Sequence, residues 1–126
     1  MQFIDTHHDQ WHTVGGEDGQ IDHPPIKSHS LLTLAQWHAV RAHWPQDVKV
    51  AIEFPNDADI HQLAPDLHRI AMVVLDFPKW TDGRAYSQAR LLRSRYRFKG
   101  EVRAAGEVLV DMVPLLARTG FDAVVL

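Results

Sequence analysis

The chain has 126 residues, 45% hydrophobic and 23% charged, which suits one sizeable core and is short for two domains. Thirteen Lys and Arg against sixteen Asp and Glu leave a net charge of −3, which excludes a nucleic-acid partner held by overall charge. Cysteine is absent, so disulfides, thiolate-held iron–sulfur clusters and dithiol redox chemistry are excluded as well.

Residues 1–32 read as an irregular N-terminal hairpin region, with Phe3, Ile4, Trp11 and Val14 set among His, Asp and Thr. The turn-rich run Gly15-Gly16-Glu17-Asp18-Gly19 would reverse the chain towards Ile21 and Ile26. The opening Met1-Gln2-Phe3-Ile4-Asp5 lacks the charged and apolar regions of a signal peptide. Thr33 and Gln36 make a capping box, flanked by Leu32 and Trp37 as a hydrophobic staple. Trp37, Val40 and Trp44 then recur at helical spacing until Pro45. Val48, Val50, Ile52 and Phe54 alternate with Lys49, Ala51 and Glu53, the pattern of a strand ending at Pro55. Asp57 and Asp59 offer caps for a short helix through Ile60 and Leu63, broken at Pro65.

The run Ile70-Ala71-Met72-Val73-Val74-Leu75 is too short to span a bilayer, too short for a helix and rich in β-branched residues; it predicts a strand buried on both faces. A loop over 76–83 leads to a helix whose apolar face is Ala85, Ala89, Leu92 and Tyr96 and which stops at Gly100. Val102 and Ala104 mark a strand. Val108, Met112, Leu115 and Leu116 mark a helix whose first turns Pro114 should kink or tighten, and Ala123-Val124-Val125-Leu126 a last strand. The expected fold is α/β in a single domain: about four parallel strands alternating with helices over 33–126, as an open doubly wound sheet or a half-barrel.

The stretch Leu75-Asp76-Phe77-Pro78-Lys79-Trp80-Thr81-Asp82-Gly83-Arg84-Ala85-Tyr86-Ser87-Gln88-Ala89-Arg90-Leu91-Leu92-Arg93 resembles the signature of domain-of-unknown-function family 934. The resemblance continues through Tyr96, Gly100-Glu101, Arg103-Ala104, Gly106, Val108-Leu109, Asp111 and Gly120-Phe121-Asp122, and more loosely at Asp9-Gln10-Trp11 and Leu34-Ala35-Gln36-Trp37. Glu107, Met112 and Thr119 depart from residues usual in that family, and its members generally run on beyond the position of Leu126. Members of this bacterial family carry a label linking them to an oxidoreductase role in sulfite reduction, given for gene association with sulfite reductase. The resemblance therefore implies an accessory or binding protein of sulfite and sulfate assimilation, working beside a sulfite reductase or another sulfur-assimilation enzyme. No Gly-x-Gly-x-x-Gly turn follows a strand, so no cofactor is expected and the electrons belong to another component. The expected compartment is the cytoplasm, with neither membrane nor nucleic acid as partner, and a homodimer stays open.

The loop after the apolar strand is the expected site, because open α/β sheets place ligands beyond strand carboxyl ends. Asp76, Lys79, Asp82, Gly83, Arg84, Tyr86 and Ser87 are its candidate ligand- or partner-binding residues, together with Arg103. With Asp76 or Asp82 orienting the Arg84 guanidinium, they suit a small oxyanion or a partner's carboxylate, since Arg pairs bidentately with both. The alternative is an enzyme acting on an anionic substrate through the same loop. A structural reading competes with both, in which Asp82-Gly83 turns the chain, Arg84 pairs with Asp76 and Tyr86 packs. Arg90, Arg93, Arg95, Arg97, Lys99 and Arg103 form a local basic cluster, read either as a solvated helix face or as a dock for an acidic partner. His7, His8, Asp9 and His12 hold metal-ligand chemistry but lack His-x-His spacing, and no metal site is expected there. His38, His43, His61 and His68 are read as surface residues.

Overall fold

The computed structural model describes the backbone of residues 1–16 and 19–126; Glu17 and Asp18, at the centre of the expected turn, lie outside the described residues. The strands are β1 (Gln2–Ile4), β2 (His12–Thr13), β3 (Gly15–Gly16), β4 (Gly19–Gln20), β5 (Ser30–Thr33), β6 (Val50–Phe54), β7 (Met72–Phe77), β8 (Glu101–Gly106) and β9 (Ala123–Val125). The α-helices are α1 (Leu34–Val40), α2 (Arg84–Arg90) and α3 (Val113–Thr119). Seven strands form one sheet in the order β1-β9-β8-β7-β6-β5-β2, every pairing parallel.

The alternation of strand and helix after Thr33 is present as expected, but the sheet has seven strands where about four were predicted. The three additional strands come from the region read as an irregular hairpin. β5 runs across the division placed at residue 32, while β1 and β2 join opposite edges of the sheet. Among the described residues only the small antiparallel pair β3–β4 corresponds to a hairpin. Strands of two to four residues are too short to display a period, and the pairing of β1 with β9 over the length of the chain left no local signal.

This N-terminal route forces the sheet to curl. Seven strands at about 4.8 Å spacing measure about 29 Å from edge to edge when flat. The link from Ile4 to His12 includes a 3-10 turn at Thr6–His8. At about 2 Å per residue there and about 3.4 Å elsewhere, it reaches only about 23 Å. The protein is thus a half-barrel of parallel strands, with residues 5–11 strapped across its concave face.

The convex face carries the larger core. Val50, Ile52 and Phe54 of β6, Val73, Leu75 and Phe77 of β7, and Val102 and Ala104 of β8 pack against Trp37, Leu63, Ala89, Leu92 and Leu116. The Thr33–Gln36 capping box is present: Gln36 N–H donates to Thr33 Oγ1 at 3.1 Å, and Thr33 N–H to Gln36 Oε1 at 2.9 Å. The segment Ile60–Arg69 is a 3-10 helix that Asp59 caps and that continues through Pro65 instead of breaking there. Buried Asp66 ties it to α1, accepting from Trp37 Nε1 at 3.0 Å, Arg41 Nε at 2.8 Å and Arg69 Nη2 at 3.1 Å. Burial works against that carboxylate's charge, but these donors outweigh it and hold its pKa below the usual range. Beyond α2 the chain widens into a π turn over Leu91–Arg95. A 3-10 turn (Val110–Met112) precedes α3, and Pro114 falls at its start, so the proline tightens the first turns without a mid-helix kink.

The concave face carries a smaller core of Trp11, Ala51, Met72 and Val74, with Leu31, Ala71 and Ala105 at its margin. Ala51, Ala71 and Ala105 let the strap lie close to the strands. Trp11 fills the space they leave.

Candidate functional site

The strand period of two sets the alternate residues of β6, β7 and β8 on the concave face: Ala51 and Glu53, then Met72, Val74 and Asp76, then Glu101, Arg103 and Ala105. Parallel register aligns Glu53 with Val74 and Val74 with Arg103, and sets Asp76 beside Ala105 one rank nearer the carboxyl ends. Arg103 is the anchor of this face, its side chain only 6% exposed. Its Nη1 donates to Asp9 Oδ2 at 2.6 Å and its Nη2 to Asp9 Oδ1 at 3.2 Å, while Nε binds Glu101. Burial opposes the guanidinium charge, but the two carboxylates more than offset it and raise the pKa further.

Two neighbouring chambers open along this face. The first, about 490 Å³, lies at the strand carboxyl ends between Thr33, Leu34, Ala35, Phe54 and Pro55. The second, about 340 Å³, lies under the strap between Thr6, Asp9, Trp11, His12 and Thr13. Glu53, Val74 and Ala105 line both. Burial, and next the nearby Asp76 carboxylate, push the Glu53 pKa upward, so this carboxyl holds its proton more firmly than an exposed glutamate.

The expected site residues do not come together. Asp76 and Arg103 belong to the concave face. Lys79 and Trp80 are exposed on the rim after β7. Asp82 Oδ1 accepts from the Arg84 backbone N–H at 3.0 Å and stands 3.7 Å from its guanidinium, so Arg84 pairs with Asp82 and not with Asp76. Asp76 instead accepts at its backbone carbonyl from Asn56 Nδ2 at 3.1 Å. Gly83 has an ordinary φ of −90° and open space around a would-be Cβ, so the turn does not depend on glycine there. Tyr86 belongs to the convex layer, edge-on to Phe77 at 5.1 Å and to Phe121 at 6.3 Å, and burial raises its hydroxyl pKa. Ser87 is exposed.

The basic cluster also divides. Arg93 is structural, donating to the carbonyls of Gly120, Phe98 and Gly100 and to Asp122 Oδ2. Arg103 faces the strap, whereas Arg90, Arg95, Arg97 and Lys99 are exposed. At the N-terminus, His8 Nδ1 lies 2.9 Å from Asp5 Oδ2. Among the described residues no three His, Asp or Glu gather as a metal site. His38, His43, His61 and His68 are exposed, as expected.

A family model described as a bacterial protein of unknown function, DUF934, matches residues 51–126, more than half of the chain. The protein belongs to the DUF934 family. No curated protein matches it. The matched span of this DUF934 protein runs from β6 to β9, so it contains Glu53, Asp76 and Arg103 as well as the rim after β7. Among the described residues no helix is long and apolar enough to cross a membrane.

The sequence reading missed Glu53, Asp9 and Trp11 as site residues. Glu53 was grouped with Lys49 as the polar side of an alternating strand. The signal against that grouping was the neighbouring apolar run from Ile70 to Leu75: a strand buried on both faces means the alternate face of β6 does not simply meet water.

Proposed function

We propose that this protein is an accessory or binding protein of sulfite and sulfate assimilation that acts in the cytoplasm beside a separate sulfite reductase and carries no electrons itself. The observation that carries the reading is the rim after β7. Trp80 is 51% exposed there, with exposed Lys79 beside it and the Arg84 side chain 65% exposed four residues on. A large aromatic flanked by cations is what protein interfaces use as an anchor for an acidic partner surface. The absence of cysteine and the family resemblance support the same role. An enzyme acting on an anionic substrate through residues 76–87 draws less support, because Asp82 already holds the Arg84 backbone N–H and Tyr86 faces the core.

The test is capture of sulfite reductase from a bacterial host grown on sulfate, using wild type, Trp80→Ala, Arg84→Lys and Arg84→Glu. These side chains are exposed, so the variants should fold, which circular dichroism checks. Trp80→Ala and Arg84→Glu are expected to weaken capture at least tenfold, and Arg84→Lys less. Equal capture by all four folded proteins, or none by wild type, would end the docking reading.

A further inference from the structure

We propose that the cavity at the strand carboxyl ends of the concave sheet face, next to the chamber under the N-terminal strap, binds a small organic cation, an ammonium or amidinium group on a short apolar body. The inference is independent of the rim and its partner. The two chambers, about 490 and 340 Å³, have the size of small-molecule pockets and lie where parallel α/β sheets bind ligands.

Lining chemistry selects the ligand class. Leu34, Ala35, Phe54, Pro55, Val74 and Ala105 supply apolar wall. The charged and titratable groups around the cavity are Glu53 from β6, Asp76 from β7, Arg103 from β8, and Asp9 and His12 from the strap and β2. Arg103 is consumed by Asp9 and Glu101. Among the described residues no ion pair involves Glu53 or Asp76. The cavity thus holds two carboxyl groups without a matching cation, beside an anchor whose own sum is already negative. Sulfite, sulfate and phosphate would be repelled. A calcium ion takes six to eight oxygens, and among the described residues no three His, Asp or Glu gather here to supply them. An organic cation needs fewer: its N–H groups meet the carboxyls and its carbon body meets the apolar wall. The upward-shifted Glu53 accords with this, since a bound cation would supply the charge that Glu53 lacks.

The experiment is calorimetric titration of the full chain with benzylammonium, butylammonium and butylguanidinium, against benzyl alcohol as neutral isostere and sulfite as anion. Wild type, Glu53→Gln, Asp76→Asn and Trp80→Ala are compared. At least one cation is expected to bind saturably, with benzyl alcohol tenfold weaker or more and sulfite silent. Glu53→Gln and Asp76→Asn should each weaken the cation about tenfold, whereas Trp80→Ala, outside the cavity, should not. Cation affinity should rise as the pH is raised above the ordinary glutamate range and Glu53 gives up its proton. Absence of saturable cation binding, equal binding of the alcohol, or unchanged affinity in both carboxyl variants would overturn the assignment.

Discussion

Replacing Asp9 with Ala tests whether the strap is held by its ion pair. Asp9 and Arg103 are 10% and 6% exposed at their side chains and share two hydrogen bonds, of 2.6 and 3.2 Å. A hydrogen bond to a charged group contributes about 1.5–3 kcal/mol, and removing one member of a buried pair costs about 3–5 kcal/mol when the other is left uncompensated. Arg103 would not be left so, because Glu101 remains on Nε. Loss of Asp9 also relieves repulsion between two carboxylates on one guanidinium, and the freed strap regains chain entropy. These offsets place Asp9→Ala at about 3 kcal/mol and Asp9→Asn, which keeps an acceptor, at about half of that. Urea unfolding followed by tryptophan fluorescence measures both, with Trp11 reporting on the strap itself. Hydrogen exchange adds location: the Gln2 amide, bonded to Asp122 O at 3.0 Å, and the His12 amide, bonded to His29 O at 3.0 Å, should lose protection before β6 and β7 do. Combining Asp9→Ala with Arg103→Met should show a coupling of about 1–3 kcal/mol. A loss below about 0.5 kcal/mol with unchanged exchange at Gln2 and His12 would refute the clamp.

Two further outcomes follow from the same face. Because the folded pKa of Glu53 is raised, its neutral form favours folding, and that contribution is present at low pH and lost as pH rises through the folded pKa. Glu53→Gln should therefore stabilise the protein at pH 7 by about 0.5–2 kcal/mol, with the advantage vanishing near pH 4 in thermal melts; equal stability at both pH values would contradict the burial of this carboxyl. Gly106 has φ +90°, and a Cβ there would press on the Phe77 carbonyl and stand 2.6 Å from Asp76 Oδ1. Gly106→Ala should cost about 3 kcal/mol in urea unfolding, and a cost under about 1 kcal/mol would mean the β8 end is free to rearrange.

How much of this was legible depended on how local each signal was. The capping box at Thr33 and Gln36 and the apolar run that became β7 each involve neighbours in sequence, and both stand in the structure. The tightened turns around Pro114 were local too. The N-terminal strands were opaque because β1 pairs with β9 and β2 with β5, partners fixed by the closure of the whole sheet. The site was half visible. Asp76 and Arg103 were among the candidates, but nearness in sequence grouped Arg103 with Arg93 and Arg97, whereas strand parity turns it towards the strap. Of the two carboxylates offered to Arg84, Asp82 stands two residues earlier and reaches it within a single turn, whereas Asp76 faces the concave side.

The pairing of β1 with β9 also has a temporal side. Gln2 is made first and waits for Ala123, so the first strand of the chain cannot be laid down until nearly all of it exists. The β5–β8 layers with their helices join neighbours in sequence and can assemble earlier. During that interval the strap is tied only at its β2 end, and the concave face, with Ala51, Met72 and Val74, lacks its closed cover. An unfinished chain therefore shows an apolar trough that the finished one hides, and that is the stage at which a chaperone, or another unfinished copy, has something to hold.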